Sequence, residues 1–355
     1  MRHFKVCIVM ALLLSLAGCS NETPEQALMQ TYASRVANVL KEDYQWQQPE
    51  PIPPLPPQRL RLQTIPDLNE GLIDVLDLAK CDLLPLIASR NSSLGKLARP
   101  SQRLVYEIQF FNLISSCLPL IEKAPSVEAE LKERIYNIYN IKKRNLPVIF
   151  WNALYTGQEI EASMAVNQSP LPLLQTDHSA ALSALNSLSF ITTSTLQNNI
   201  DFDTSSLSQI EQYYEDIYHA PLGAPLLKSL LLLEVTMNNV SQLINTRLER
   251  RPMCFSSMQN PQANILKNVF IEYYARQIQP YMAYVHRTGE QWFSIHSKTL
   301  ALLPIPHEIA PYAQQAFITN SKTSIWERYI NARDRHTQAW QRVLKQCNLM
   351  PSQPN

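Results

Sequence analysis

A run of polar and charged residues between two predicted helices is the strongest candidate for chemistry in this chain. Arg90, Asn91 and Ser92 close one helical segment, and Arg103 and Glu107 lie one turn apart on the next. Because a guanidinium binds carboxylates and phosphates through two parallel hydrogen bonds, the cluster predicts a rigid site for an anionic ligand or a partner. The alternative is structural, with Asn91 and Ser92 capping helix ends while the arginines and Glu107 form an ion-pair network.

Two short motifs match catalytic signatures only in part. His307-Glu308 begins like a zinc-protease helix, but Pro311 stands where the second histidine is required. Ser93 and Lys96 match the S-x-x-K pattern of penicillin-interacting enzymes, but the companion S-x-N motif is missing downstream. We therefore assign no catalytic residue and expect neither a metal site nor a cofactor, so the sequence leans towards a protein that is not an enzyme.

The first residues of the chain have the layout of a secretory signal. Arg2 and Lys5 make a positive start, an apolar stretch of roughly ten residues follows, and small residues precede Cys19. This apolar stretch is too short to span a bilayer, which takes about 20 residues. No later segment offers a comparable uncharged run, so we find no other membrane attachment in the sequence.

The end of this signal resembles a family motif. The run Leu16-Ala17-Gly18-Cys19 is similar to the lipobox of Gram-negative bacterial lipoproteins. The resemblance implies that the chain is cut before Cys19 and that this cysteine is lipidated. By the same resemblance, Ser20 directs the protein to the outer membrane, where it faces the periplasm. Buried acyl chains, at about 0.8 kcal/mol per methylene, would then hold it there.

The remaining cysteines fit an oxidising compartment. Once the signal is removed and Cys19 is lipidated, four cysteines are left, and an even number predicts two disulfides. They are Cys81, Cys117, Cys254 and Cys347. Three pairings are possible, and we favour Cys81–Cys117 with Cys254–Cys347 because each joins neighbours along the chain. A zinc site of four thiolates is the alternative, but the spacing contains no C-x-x-C pair.

Composition narrows the function classes. The chain has 31 Lys and Arg against 30 Asp and Glu, and 29 basic residues remain when Arg2 and Lys5 leave with the signal. This near-neutral balance gives no reason to expect nucleic-acid binding. The chain has only 6 glycines, whereas phosphate-binding loops and tight hairpins usually need them. Nucleotide-binding folds and most β-sandwiches are therefore unfavoured.

The pattern of apolar residues and prolines predicts an all-α protein, a bundle or array of about ten helices held by two disulfides. We divide it into a signal peptide (1–18), the lipidated cysteine with a first helix (19–48), a proline-rich strap or linker (49–66), a helical body (67–347) and a tail (348–355). Thr23 and Pro24 mark the start of the first helix. Leu230 to Leu233 should be buried on all sides. A helix break is expected near Pro147 and a bend at Pro280.

A second resemblance covers most of the chain after the signal. Cys81-Asp82-Leu83, Leu86-Ile87-Ala88, Arg90-Asn91-Ser92 with Leu94-Gly95, and Arg103-Leu104 with Tyr106-Glu107 are similar to a family of Gram-negative lipoproteins of unknown function. This resemblance implies no activity, substrate or cofactor. The leading hypothesis is a lipid-anchored, non-catalytic scaffold or adaptor that binds another envelope protein or peptidoglycan. The alternatives are an envelope hydrolase or transferase with a site near Arg90 and Glu107, and a carrier that encloses an apolar ligand between helices.

Overall fold

The computed structural model describes residues 22–65, 81–197 and 204–350. Of these described residues, 72% are helical and none lies in a strand. Ten of the described α-helices have eight or more residues. Both disulfides form between neighbouring cysteines, Cys81 with Cys117 and Cys254 with Cys347. The predicted fold class and the favoured cysteine pairing are therefore confirmed.

The described α-helices are numbered here in chain order. They are α1 (Pro24–Leu40), α2 (Gln58–Arg61), α3 (Leu84–Asn91), α4 (Ser93–Lys96), α5 (Pro100–Lys123), α6 (Ala129–Tyr155), α7 (Gln158–Ser163), α8 (Ser179–Leu196), α9 (Ile210–His219), α10 (Gly223–Arg250), α11 (Pro261–Val269), α12 (Gln279–Leu300), α13 (Ala310–Ala316) and α14 (Ile325–Gln346). A 3₁₀-helix (Thr204–Gln209) precedes α9, and a π-helix (Phe270–Ile278) separates α11 from α12.

The first helix packs into the main core through one face. The Thr23 side chain accepts a hydrogen bond from the Gln26 amide, and Pro24 occupies the first turn, so α1 begins where its capping signal predicts. Its buried face includes Met29, Tyr32, Val36 and Leu40, all with no exposed surface. These side chains pack against α10, α11 and the π-helix. The helix nearest the predicted lipid site is thus part of the main core.

Two long helices, α10 and α14, form the most extensive helix pair of the main core. Leu230 to Leu233 on α10 are at most 3% exposed, as predicted for a helix surrounded on all sides. The ring of Trp326 at the start of α14 lies over Gly289 of α12. A Cβ atom at Gly289 would come within 2.5 Å of that ring. Glycine is therefore required here to let the aromatic ring pack on the helix backbone.

The hairpin of α5 and α6 carries a second, smaller core. Ile114, Ile121 and Ile135 pack there around the Cys81–Cys117 disulfide, together with α3. We call this part, residues 81–144, the arm. The helix break predicted near Pro147 is wrong, because α6 continues through Pro147 from Ala129 to Tyr155. Buried residues on both sides of the proline hold the helix together despite its missing N–H, and they are Leu146, Ile149 and Phe150.

The helix α5 is also apolar enough in length and composition to cross a membrane. Half of its most apolar window is buried inside the protein, and the bent pair Leu207–His219 with Gly223–Arg250 passes the same test. Core helices of soluble proteins pass it too, so we assign no membrane span to these segments. Pro280, where a bend was predicted, lies in the first turn of α12, directly after the π-helix.

The proline-rich segment lies along the helical body. Ile52 is 4% exposed and belongs to the main core, and Leu55 packs against that core. Just beyond the prolines, the Arg61 side chain is 2% exposed and donates to the Pro56 carbonyl, the Tyr155 carbonyl and the Glu161 carboxylate. One buried guanidinium therefore fastens the end of this segment to the C-terminal end of α6. The first part of the predicted helical body, residues 67–80, lies outside the described residues.

Candidate functional site

Glu107, the acidic residue of the predicted polar cluster, lies inside the arm. Its side chain is 6% exposed, and its Oε2 atom accepts a hydrogen bond of 2.7 Å from Nζ of Lys142 on α6. The Lys142 ammonium also lies 4.5 Å from the ring centroid of Phe110 and 5.3 Å from that of Tyr106. The buried carboxylate is thus engaged by a buried cation that also rests on two aromatic rings.

The other end of the cluster forms a junction between two helices. Ser92 caps α4 by accepting a hydrogen bond from the Gly95 amide at 3.0 Å, and its hydroxyl donates to the Ser89 carbonyl at 2.7 Å. Arg90 donates to the Gly95 carbonyl. A Cβ atom at Gly95 would lie 2.3 Å from the Ser89 carbonyl oxygen, so only glycine fits. Asn91 is the exposed last residue of α3.

Tyr106 is the side chain at which these charges meet. Burial, reinforced by Glu107, raises the pKa of Tyr106 to about 12, whereas the positive charges of Arg90 and Arg103 act in the opposite direction. The Nε atom of Arg103 is buried and has no hydrogen-bond partner among the described residues. The structure thus brings the charged residues of the predicted cluster near one phenol, but it joins Glu107 to Lys142 and to neither arginine. This arrangement favours the structural interpretation of the cluster.

Lys142 was not predicted as a partner of Glu107, although the sequence holds one signal for it. Lys142 occupies the same helical face as the buried residues Ile135, Ile138 and Leu146. A lysine on an apolar helix face needs a buried acid, since an unpaired charge in the interior is costly. Glu107, on the buried face of α5, is that acid.

A polar groove lies next to the start of the first helix. We call it the N-terminal groove. It has a volume of about 460 Å³, within the range of about 300–1,000 Å³ of small-molecule sites. Its walls are the start of α1, residues 49–52 of the proline-rich segment, the loop 166–170, and Lys228 and Leu232 of α10.

Lys228 and Glu50 place opposite charges in this groove. Nζ of Lys228 donates to the Val166 carbonyl at 2.7 Å and to the Gln168 carbonyl at 2.6 Å, and burial lowers the pKa of this lysine. Because an ammonium has three donors, one remains after these two bonds. Glu50 accepts from Nη1 of Arg328 at 2.9 Å, and Arg328 also binds Glu234. Neither the groove nor the role of Lys228 was predicted from the sequence.

A second cavity is small and lies between α6, α7, α8, α9 and α12. Its volume is about 30 Å³, and its walls include Tyr155, Ser189, His296 and Thr299. The Tyr155 hydroxyl lies 3.0 Å from Nδ1 of His296, and burial lowers the pKa of His296 to about 3. A space of this size holds about two water molecules. It has no room for an acyl chain, so it does not support the carrier hypothesis.

Another buried histidine is enclosed by aromatic residues. Nε2 of His336 lies 2.8 Å from the Tyr32 hydroxyl, and the indole N–H of Trp340 donates to that hydroxyl at 2.8 Å. Burial lowers the pKa of His336 to about 3. The ring of Tyr274 from the π-helix lies 4.7 Å away. This cluster ties α1 to α14 and the π-helix, and its histidine is neutral at the pH of most compartments.

The loop from Arg251 to Asn260 displays apolar side chains to solvent. Phe255 is 56% exposed and Met258 is 68% exposed. Between them, Ser256 and Ser257 have backbone φ angles of 50° and 59°, in the left-handed region that residues other than glycine rarely adopt. Cys254 anchors the loop through its disulfide to Cys347 at the end of α14. We call Phe255 and Met258 the loop patch.

The loop is fixed by further contacts. Oε1 of Gln346 accepts hydrogen bonds from the Met253 and Cys254 amides, and the Asn260 side chain donates to the Met253 carbonyl. The Arg251 guanidinium lies 5.5 Å from the ring centroid of Phe255. Strained backbone persists only where its surroundings hold it in place. These contacts therefore hold the apolar side chains of the loop patch towards solvent, with a cation beside them.

Comparison with known proteins gives a family but no activity. A family model described as "Protein of unknown function (DUF3080)" matches residues 29–351. No curated protein matches the chain, and no solved structure matches it. Within the described residues, no group of three or more His, Cys, Asp or Glu side chains is arranged to hold a metal ion.

Proposed function

Since the chain belongs to the DUF3080 family of proteins of unknown function, which supplies no activity to test, we propose a role from its geometry. The protein is a lipid-anchored envelope protein on the periplasmic face of the outer membrane. It acts there as a non-catalytic scaffold or adaptor for another envelope protein or for peptidoglycan. The proposal rests on one observation: the start of helix α1 borders the N-terminal groove, whereas its end lies next to the loop that carries the patch.

The helices α1 and α10 run in the same direction between these two ends. Gln26 and Lys228, near the starts of the two helices, both line the N-terminal groove. At the other end, Arg250 of α10 forms an ion pair with Glu42, just beyond α1, and the loop of the patch follows directly. At 1.5 Å per residue, the 17 residues of α1 separate the two ends by about 25 Å.

The proposed anchor would leave little freedom at the first end. Only four residues separate Cys19 from Pro24, which begins α1. At a maximum of about 3.5 Å per residue, the link from Cys19 to Pro24 spans less than about 20 Å. Because α1 is part of the main core, a lipid on Cys19 would hold the groove end at the membrane surface. The loop patch would then point away from the membrane.

The contacts of the loop patch support an adaptor rather than an incidental exposed surface. Apolar side chains exposed singly on a protein surface are common. Here the Cys254–Cys347 disulfide and Gln346 hold the loop in place. The left-handed backbone at Ser256 and Ser257 then turns Phe255 and Met258 towards solvent. Aromatic residues, methionine and arginine are enriched at protein interfaces. Phe255, Met258 and Arg251 provide one of each at this site.

The hydrolase or transferase hypothesis finds less support at Glu107. A general acid or base must come within hydrogen-bond reach of its substrate. The Glu107 side chain is instead buried and held by Lys142. The proposed function therefore gives this pair the role of stabilising the arm.

Photo-crosslinking in intact cells tests the adaptor role. A photoreactive phenylalanine analogue replaces Met258 in one strain and Leu174, which is 83% exposed in the loop before α8, in a control strain. We expect a discrete adduct from position 258 and none from position 174. Muramidase digestion distinguishes the partners, since it shortens a peptidoglycan adduct and leaves a protein adduct unchanged. No adduct from position 258, or the same adduct from both positions, would contradict the proposed function.

A further inference from the structure

We propose that the N-terminal groove binds the headgroup of a zwitterionic phospholipid, a phosphate joined through a short linker to a primary ammonium. This inference rests on the proposed function, because lipid anchoring is what places the groove at a membrane surface. It adds a second, non-covalent contact with the bilayer that the covalent anchor does not provide.

Lys228 is the phosphate-binding group. Its two hydrogen bonds to the Val166 and Gln168 carbonyls fix the ammonium at the wall of the groove. The third N–H is left for a ligand, and its partly buried position strengthens a contact with an anion. Asn167 and Ser169 line the same wall, and their side chains offer neutral donors to further phosphate oxygens.

Glu50 is the ammonium-binding group. Its carboxylate is 67% exposed at the groove, and its Oε2 atom is held by Arg328. Arg328 is shared with Glu234, so these three side chains together carry one net negative charge. The negative charge of this trio and the positive charge of Lys228 face one groove. A ligand with one phosphate and one ammonium matches this arrangement better than a simple anion does.

The size and position of the groove agree with such a ligand. Its 460 Å³ exceed the volume of a bare phosphate, and Pro49, Pro51 and Ile52 add an apolar wall suited to the glycerol end of a lipid. Thr23, four residues after Cys19, forms part of the rim. A lipid whose headgroup occupies the groove can therefore keep its acyl chains in the same bilayer as the anchor.

Calorimetric titration of the purified protein in detergent micelles tests the proposal. The probes are glycerophosphoethanolamine, glycerophosphocholine, whose quaternary ammonium has no N–H to donate, and inorganic phosphate. We expect glycerophosphoethanolamine to bind at least 5-fold more tightly than either other probe. Glu50→Gln should remove most of that preference and leave phosphate binding unchanged. Lys228→Gln should weaken all three probes at least 10-fold.

Matched variants keep the outcome interpretable. Lys298→Gln and Glu290→Gln change exposed residues of α12 and should bind as the parent protein does. Lys228→Gln removes two bonds to the loop 166–170, so Glu50→Gln, which leaves that loop intact, provides an independent test. Equal binding of all three probes, or a Glu50→Gln variant that behaves as the parent, would overturn the proposal. Because the probes are soluble, this result does not depend on whether Cys19 carries a lipid in the cell.

Discussion

Glu107 and Lys142 are 35 residues apart in the chain, yet they form an ion pair of 2.7 Å between α5 and α6. Their side chains are 6% and 10% exposed. The pair lies where the arm meets the main core, since Leu104, Ile108 and Leu146 around it belong to that core. It therefore joins the two long helices of the arm, α5 and α6, next to the main core.

Removing one member of this pair should strongly destabilise the protein. Lys142→Met leaves a buried carboxylate without a counter-charge, and such changes cost about 3–5 kcal/mol. The double variant Glu107→Leu with Lys142→Met should recover most of that loss, because two apolar side chains leave no buried charge. Urea unfolding followed by circular dichroism measures both values.

The control for this prediction is an exposed ion pair. Arg276 and Glu272 pair one turn apart on the π-helix, with side chains 66% and 52% exposed. Arg276→Ala should cost less than about 0.5 kcal/mol. Similar losses of unfolding free energy for Lys142→Met and Arg276→Ala would show that the buried pair does not stabilise the arm.

Two buried histidines should make the protein sensitive to mild acid. Burial lowers the pKa of His296 and of His336 to about 3, whereas in the unfolded chain both titrate near 6.5. Below pH 6.5 the unfolded state therefore binds two protons that the folded state does not, so stability falls as the pH falls towards 3. Between pH 7 and pH 5 the free energy of unfolding should drop by about 2 kcal/mol for each histidine.

Glutamine variants isolate this contribution from that of the carboxylates. His296→Gln and His336→Gln should each reduce the pH dependence of the unfolding free energy by about half of the histidine contribution. His219→Gln, whose parent side chain is 71% exposed, should leave it unchanged. Equal pH dependence in the parent and both buried variants would show that these histidines are not held neutral by the fold.

Much of the architecture could be predicted because its signals are local. The start of α1 follows from Thr23 and Pro24, and the burial of Leu230 to Leu233 follows from four consecutive leucines. Pro147 misled the prediction, since its local effect on the helix is outweighed by buried neighbours on both sides. The prediction placed a helix boundary at this proline, but side-chain packing keeps α6 continuous through it.

The candidate sites were harder to predict from the sequence, because each is formed by segments that are far apart in the chain. The N-terminal groove combines residues from positions 23 to 232, and Lys228 contributes by bonding to carbonyls of a loop about 60 residues earlier. The left-handed backbone of the loop patch falls on Ser256 and Ser257, where no glycine marks it. The charges at Arg90 and Glu107 were visible, but Lys142, the partner of Glu107, lies on another helix.

The two disulfides should leave the mature protein without free thiols. After denaturation in the absence of reductant, a thiol assay should detect none, because Cys19 is proposed to carry lipid and the other four cysteines are paired. Detection of two or more thiols per chain would contradict this pairing.

The larger disulfide loop should contribute slightly more stability. In the loop-entropy model, the bridges stabilise by up to about 4 kcal/mol for Cys81–Cys117 and about 4.5 kcal/mol for Cys254–Cys347. Replacing both cysteines of a pair by serine should lower the free energy of unfolding in either case. Only loss of Cys254–Cys347 should also abolish crosslinking from position 258, because that bridge holds the loop patch. Crosslinking that survives this change would show that the bridge is not needed to present the patch.

The proposed anchoring can be tested most directly by mass spectrometry of the N-terminal peptide of the protein purified from its own cell envelope. We predict a chain that begins at Cys19 and carries a diacylglyceryl group on the thiol and an acyl group on the amino end. A chain that begins at any other residue, or one whose Cys19 is unmodified, would contradict the proposed anchoring and the membrane orientation that follows from it.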